Sequence, residues 1–302
     1  MKIRAGYEIT YDCPQPTPMI VELSVHPIRR SDLITPDPIR LKPPVPIKQY
    51  RDGFGNICQV TKAPKGEITM FSDFLIEDSG KPDEIAPDIV DHALEKLPVE
   101  TLVYLLGSRY CETDRLSEFA WARFGTFPKG GALVQAICDL VHQEVTFGYE
   151  HASVARTAFD TFKERRGVCR DFAHLAITLC RCMNIPARYC TGYLGDIGVP
   201  PEDLPMDFSA WFEAYLGGRW YTFDARHNTP HIGRILIAHG RDATDVAIVT
   251  SFGPTRWWIS TWSLTRSCLK KLSLTHPLAG LPQTEAPTRA KLRQAPAITD
   301  RA

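Results

Sequence analysis

The sequence predicts an α+β fold with a β-rich N-terminal domain, and three observations carry that prediction. Short apolar runs broken by prolines fill residues 1 to about 75. Helical spacing takes over between about 88 and 184, and three aromatic-rich, β-forming segments follow between 188 and 224.

In the first stretch, Met19-Ile20-Val21-Glu22-Leu23-Ser24-Val25 lies between Pro14-Gln15-Pro16-Thr17-Pro18 and the prolines from Pro36 to Pro46. Proline cannot donate to a strand ladder, so these breaks separate short strands. Asp52-Gly53-Phe54-Gly55-Asn56 is dense in turn formers and precedes Ile57-Cys58-Gln59-Val60, which predicts a tight hairpin-like turn. We place an N-terminal β-rich domain over residues 1–78. Ser79-Gly80-Lys81-Pro82-Asp83 opens a linker and helical bridge over 79–130.

Ile89, His92, Ala93 and Leu97 follow one helical stripe, and Leu133, Ile137, Leu140 and Val141 another. Residues 155 to 184 read as two helices broken at Gly167. In the second of these, Phe172, Leu175, Ala176, Leu179, Cys180 and Met183 define a core face, which leaves Cys169 in the first turn. Three strands are then predicted at Arg188 to Leu194, Ser209 to Leu216 and Arg219 to Asp224, the last two joined by a two-residue turn at Gly217-Gly218. This places the domain that carries the chemistry at 131–256.

Thirty-five basic and 35 acidic residues cancel. No global field favours nucleic acid, and nothing in the totals points to a membrane surface. The N-terminus, charged at Lys2, Arg4 and Glu8, lacks the apolar stretch of a secretory signal, and no window approaches a membrane span. Nine cysteines without the regular spacing of a disulfide scaffold fit a reducing compartment, so the expected location is cytoplasmic. From Arg256 onward, eight basic residues oppose Glu285 and Asp300, a net charge of about +6 by direct count. Residues 257–302 are therefore expected to be a disordered basic tail. Tryptophan has a single codon, so Trp257-Trp258-Ile259-Ser260-Thr261-Trp262 can be partly back-translated. Shifted by one base, it reads as a better β-strand than the one written, which suggests a frame slip near residue 256 that replaced a core strand.

The chemistry centres on Gly167-Val168-Cys169-Arg170-Asp171. A thiol at a helix N-terminus meets unsatisfied backbone N–H groups and the positive end of the helix dipole, both of which favour thiolate. Arg170 adds a cation, and Gly167 allows a tight entry and a close substrate approach. The bland reading of Cys169 is a buried structural cysteine.

Glu164 to Ala173 resembles the nucleophile segment of bacterial transglutaminase-like proteins, which group with papain-like cysteine enzymes. Ile185-Pro186-Ala187-Arg188-Tyr189 with Thr191-Gly192-Tyr193 resembles the helix-to-strand passage that follows. Ala210 to Tyr215 and Arg219 to Asp224 are similar to the family's paired catalytic strands. Asp52 to Asn56 resembles the turn of its N-terminal β-domain, and Leu105 to Tyr110 the bridge into the catalytic part. The likeness covers roughly residues 1 to 254. It implies a papain-like, transglutaminase-type core, with the cysteine helix packed on an antiparallel sheet, and it implies Cys169 as nucleophile.

Such a family uses Cys, His and Asp, the imidazole taking the thiol proton and the carboxylate fixing its tautomer. Asp224 matches the third member. The second should directly precede Ala210-Trp211, and there the sequence has Ser209, whose hydroxyl cannot accept a proton near neutral pH. His227, three residues beyond Asp224, is a candidate substitute base, with a structural loop histidine as the alternative. His174 projects about 140° from Cys169 and roughly 7.5 Å along the helix, which argues for packing, and His151 is a further cleft candidate. Cys180, Cys182 and Cys190 with His174 make a poor metal set, because Cys-x-Cys on a helix points its thiols about 200° apart. Trp211 and Trp220 read as sheet packing. The expectation is a cysteine acyltransferase or amide hydrolase without cofactor or metal, acting on a peptide or protein amide. The alternative is a pseudoenzyme that binds a partner in the retained cleft.

Overall fold

The computed structural model describes residues 1–85, 87–200 and 208–266, the side chains of the last strand only at Arg256. The N-terminal part contains β1 (Lys2–Cys13), β2 (Thr17–Val21), β3 (Arg40–Lys42), β4 (Ile47–Arg51), β5 (Ile57–Ala63) and β6 (Gly66–Glu77). Helices α1 (Thr113–Phe124) and α2 (Gly131–Glu144) follow. Next come β7 (Thr146–Phe147), α3 (Ala158–Glu164), β8 (Arg166–Gly167) and α4 (Cys169–Cys182). The chain then adds β9 (Ala187–Tyr193), β10 (Phe208–Leu216), β11 (Arg219–Phe223), β12 (Ile235–Gly240), β13 (Val249–Ser251) and β14 (Arg256–Arg266).

Three four-stranded sheets form, in the orders β14-β1-β6-β3, β13-β2-β5-β4 and β11-β10-β9-β12, and their neighbouring strands pair antiparallel. In the third sheet, β10 pairs β9 with Ser209 opposite Gly192 and Phe212 opposite Tyr189. Gly217 and Gly218 close the β10–β11 hairpin at φ 54° and 91°, a left-handed pair that only glycine adopts without cost. Alternation sets the faces: Phe212 is fully buried in the main core, whereas Trp211 packs with Cys190 and Leu236 in a second cluster.

Helix α4 packs against β9 and β10 and is bracketed by α1, α2 and α3. Its apolar stripe of Phe172, Leu175, Ala176 and Leu179 is buried, which fixes the rotation of the helix and therefore the position of its first residue. The same core includes Ile3, Ile9, Met19, Val21, Ile68 and Met70 of the N-terminal sheets, so packing runs unbroken from those sheets into the helices. Met1–Ser267 is accordingly one compact unit. The segment read as a linker is anchored as well. The Asp83 carboxylate accepts hydrogen bonds from His231 N and Arg234 Nε, at 3.0 and 2.8 Å.

Two expectations need correction. The stripe at Ile89, His92, Ala93 and Leu97 is not an α-helix; the backbone there is irregular, with short 3-10 turns at Leu94–Lys96 and Val99–Leu105. Pro87 and Pro98 bracket this stretch and limit any continuous helix. The tail expected from residue 257 is also overturned over its first ten residues. Arg256–Arg266 is strand β14, paired with β1 from Asp12 opposite Arg256 to Ile3 opposite Arg266. Trp257, Trp258, Ile259, Thr261 and Trp262 are good strand formers, and ladder hydrogen bonds need only backbone groups, so the written residues supply the strand that a frame slip was expected to have removed. The remainder of the expected tail, 267–302, lies outside the described residues.

Candidate active site

Cys169 is the first residue of α4 and is half-buried against the core. The helix entry is built around Asp171, which is fully buried. Its Oδ2 accepts from Val168 N at 2.9 Å, satisfying one of the free N–H groups at the helix start, while Oδ1 accepts from Arg170 Nη2 at 3.0 Å. Arg156 Nη1 lies 3.6 Å from the same carboxylate. Gly167 is required here for space: a Cβ would sit 2.6 Å from Asp171 Cβ and 2.7 Å from its Oδ2. The reason therefore differs from the expected one, since it is Asp171 that needs the room. Arg170, expected as a cation beside the thiol, commits its guanidinium to Asp171 and to the Ser153 carbonyl, 5.3 Å above the Tyr110 ring.

Asp224 follows the last residue of β11, one step beyond the Phe212–Phe223 pair and toward the end of the sheet where Ser209 lies. Its side chain is 3% exposed. Oδ1 accepts from Arg226 N and His227 N at 3.0 and 3.1 Å; Oδ2 accepts from His227 Nδ1 and Arg234 Nη2, each at 2.9 Å. Burial alone would raise this carboxyl, but the Arg234 charge and the His227 hydrogen bond outweigh it and hold Asp224 far below the ordinary carboxylate range. An ionised carboxylate can only accept, so Nδ1 of His227 carries the proton and Nε2 is the basic end. Arg226 Nη1 donates to that Nε2.

Of the four residues singled out, the structure thus joins Asp224 and His227 through a hydrogen bond. Ser209 is half-buried on β10, its carbonyl accepting from Thr191 Oγ1 at 3.2 Å. Cys169 stands at the head of the helix packed on that sheet, where burial holds the Tyr189 hydroxyl of β9 well above its ordinary value. His174 is fully buried, accepts from Ala243 N at 3.1 Å, and stacks on Tyr110 at 5.0 Å between ring centroids. Burial and Arg170 push it down to about 3, so it is a neutral packing group. His151 lies in a short 3-10 turn, 3.6 Å from Glu150.

Arg234 and Asp83, which fix the Asp224 carboxylate, carried no sequence signal. Asp83 sits in what reads as a linker, and Arg234 in an apolar run without a motif.

A model of the transglutaminase-like superfamily matches residues 125–225, which span α4 and the β10–β11 hairpin. A crystal structure from Cytophaga hutchinsonii, described as a "putative cysteine protease", superposes with a TM-score of 0.77 at 31% identity, over 88% of this chain and 90% of that one. An uncharacterized protein of Mycobacterium leprae is 37% identical over 101 residues, 31% of this chain; the chain spans about a third (34%) of that relative's length. An uncharacterized protein of Mycobacterium tuberculosis is 28% identical over 221 residues, 65% of this chain and 68% of that one. The chain belongs to the transglutaminase-like superfamily, with a papain-like cysteine-protease fold. Among the described residues, no helix is long and apolar enough to cross a membrane.

Proposed function

We propose that this chain is a cysteine acyltransferase or amide hydrolase in which Cys169 is the nucleophile and the Asp224–His227 pair supplies the base that Ser209 cannot. The observation that carries this reading is the 2.9 Å hydrogen bond from His227 Nδ1 to an Asp224 carboxylate that is itself fixed by Arg234. That bond sets the tautomer, leaving Nε2 to accept the thiol proton once Arg226 swings away. The Cys169 thiolate then adds to the amide carbonyl carbon, and the free N–H groups at the start of α4 stabilise the oxyanion. The imidazolium returns its proton to the departing amine, and a thioester remains. Water or a second amine resolves it, giving acid or a new amide. The substrate is a peptide or protein amide, and nine cysteines without the regular spacing of a disulfide scaffold fit a reducing, cytoplasmic setting.

A second reading rests on Ser209 and on the Arg226 guanidinium at His227 Nε2: a pseudoenzyme that keeps the cleft to bind a peptide or protein partner. The test compares wild type with Cys169→Ala and His227→Ala on a set of peptide amides, with product detected by mass spectrometry. Activity lost in both variants supports the enzyme; an inactive wild type whose peptide binding survives Cys169→Ala supports the binder.

A further inference from the structure

A buried group of polar side chains far from the helix α4 entry in sequence is not used by this chemistry. Glu22, just after β2, Asp52 in the β4–β5 turn, and Cys58 on β5 each present one ligand-type atom, and these atoms lie within 4.8 Å of one another. Glu22 is 8% exposed and Cys58 1%. Oε1 of Glu22 accepts from the Cys58 thiol at 3.6 Å, whereas its Oε2 is buried without any hydrogen-bond partner. Among the described residues, no lysine, arginine or histidine forms an ion pair with either carboxylate.

Two carboxylates therefore converge on a thiol with no ion-pair partner among the described residues, and one buried oxygen is left over. Burying a carboxylate in this way is costly unless a cation or a proton compensates. We propose that Glu22, Asp52 and Cys58 bind a divalent cation of the Zn2+ class. The thiol decides the class: Ca2+ and Mg2+ take oxygen ligands, whereas Zn2+ accepts sulfur and carboxylate oxygen together. On binding, Cys58 gives up its proton to solvent, and three protein ligands leave a fourth position for water.

Asp52 is already held for this role. Its Oδ1 accepts from Phe54 N and Asn56 N, at 2.9 and 2.8 Å, and its Oδ2 accepts from Asn56 Nδ2 at 2.8 Å. Asn56 also donates to His239 O and accepts from His239 N, each at 2.9 Å, so the site is linked directly to β12 of the sheet that carries Ser209. Outer partners of this kind orient the ligands of metal sites. Glu22, Asp52 and Cys58 follow no metal-ligand spacing in the sequence, unlike the set of Cys180, Cys182, Cys190 and His174, whose thiols diverge on the helix. The inference is independent of the proposed catalysis.

The experiment is calorimetric titration of Zn2+ into chelator-stripped, full-length protein, in a Cys169→Ala background so that the proposed nucleophile contributes no sulfur. We expect one Zn2+ per chain, a rise in Tm on binding, and at least a tenfold loss of affinity in both Glu22→Gln and Cys58→Ser. X-ray absorption at the zinc edge of the loaded protein needs neither of those substitutions and is expected to show one sulfur at about 2.3 Å with oxygen in the other positions. Failure to bind, equal affinity in the variants, or a zinc shell without sulfur each overturns the site. If a variant does not fold, the absorption spectrum alone decides.

Discussion

His227 donates from Nδ1 to Asp224 Oδ2 across 2.9 Å, with only two residues between them in the chain. That places an oriented imidazole beside the carboxylate although the expected histidine position is Ser209. If it acts as base, His227→Ala lowers amide turnover by about 10²- to 10⁴-fold, the usual worth of general-base catalysis. Ser209→His, in the His227→Ala background, is expected to recover at least tenfold, measured as kcat/KM on the same peptide amide. No recovery would mean that position 209 does not reach the thiol.

Cys169 is expected to be alkylated before the other described cysteines. Burial pushes Cys58 up to about 12 and Cys111 and Cys182 up to about 11, and it holds Cys138, Cys180 and Cys190 well above the ordinary thiol range. A thiol at about 11 is roughly one part in 10³ thiolate at pH 8. Peptide mapping after a short iodoacetamide pulse checks the order, and earlier labelling of Cys58 or Cys111 would count against the nucleophile assignment.

Arg234→Met should destabilise the protein by about 3–5 kcal/mol, because it leaves two carboxylates, Asp83 and Asp224, short of a partner that is itself 7% exposed. The pH dependence has a definite sign. Asp224 is depressed in the folded state, so its contribution is fully present above its unfolded value of about 3.9 and is lost as pH falls below it. The gap in Tm between wild type and variant should therefore be constant from pH 5 to 7 and narrow below about pH 4. A gap that persists unchanged at pH 3 would remove the charge-pair explanation.

His174 titrates the other way. Its folded value, about 3, lies below the unfolded value of about 6.5, so the unfolded chain takes up a proton first and stability falls as pH drops through that window. The loss approaches about 1.4 kcal/mol per pH unit for this one group. His174→Gln, which keeps an acceptor for Ala243 N, should flatten the slope of unfolding free energy between pH 6.5 and 4 by that amount. An unchanged slope would show that His174 is not buried and neutral.

Strand β14 makes a further expectation measurable. A chain ended at Arg266 should be more stable than one ended at Thr255, because the shorter form uncovers the β1 edge from Ile3 to Asp12. Equal Tm and equal solubility of the two forms would show that the strand adds little.

The sequence made some of this legible and hid the rest for physical reasons. Periodicity marked α2 and α4, and the Gly217-Gly218 turn marked the β10–β11 hairpin, because local rules decide those elements. Trp257 to Trp262 read as a poorer strand than the shifted frame, and the net charge of about +6 from Arg256 onward with its polar continuation argued for a tail; what decides is the β1 edge, which lies far away in the sequence. Cys169 was legible from its place at a helix start. The roles of Asp83 and Arg234 were not, since each depends on a tertiary contact with Asp224 or its neighbours. The same holds for Glu22, Asp52 and Cys58, whose separation in sequence follows no ligand spacing.

The pairing of Ile3 with Arg266 and of Val21 with Val249 also bears on how the protein is made. During synthesis β1 and β2 leave the ribosome long before β13 and β14 exist, so both N-terminal sheets wait with an open edge until the chain has been made through Arg266. Contacts so distant along the chain slow folding and lengthen the time during which unpaired strands can meet a neighbour. The yield of the protein on expression should therefore depend on temperature and elongation rate more than the stability of the finished molecule does.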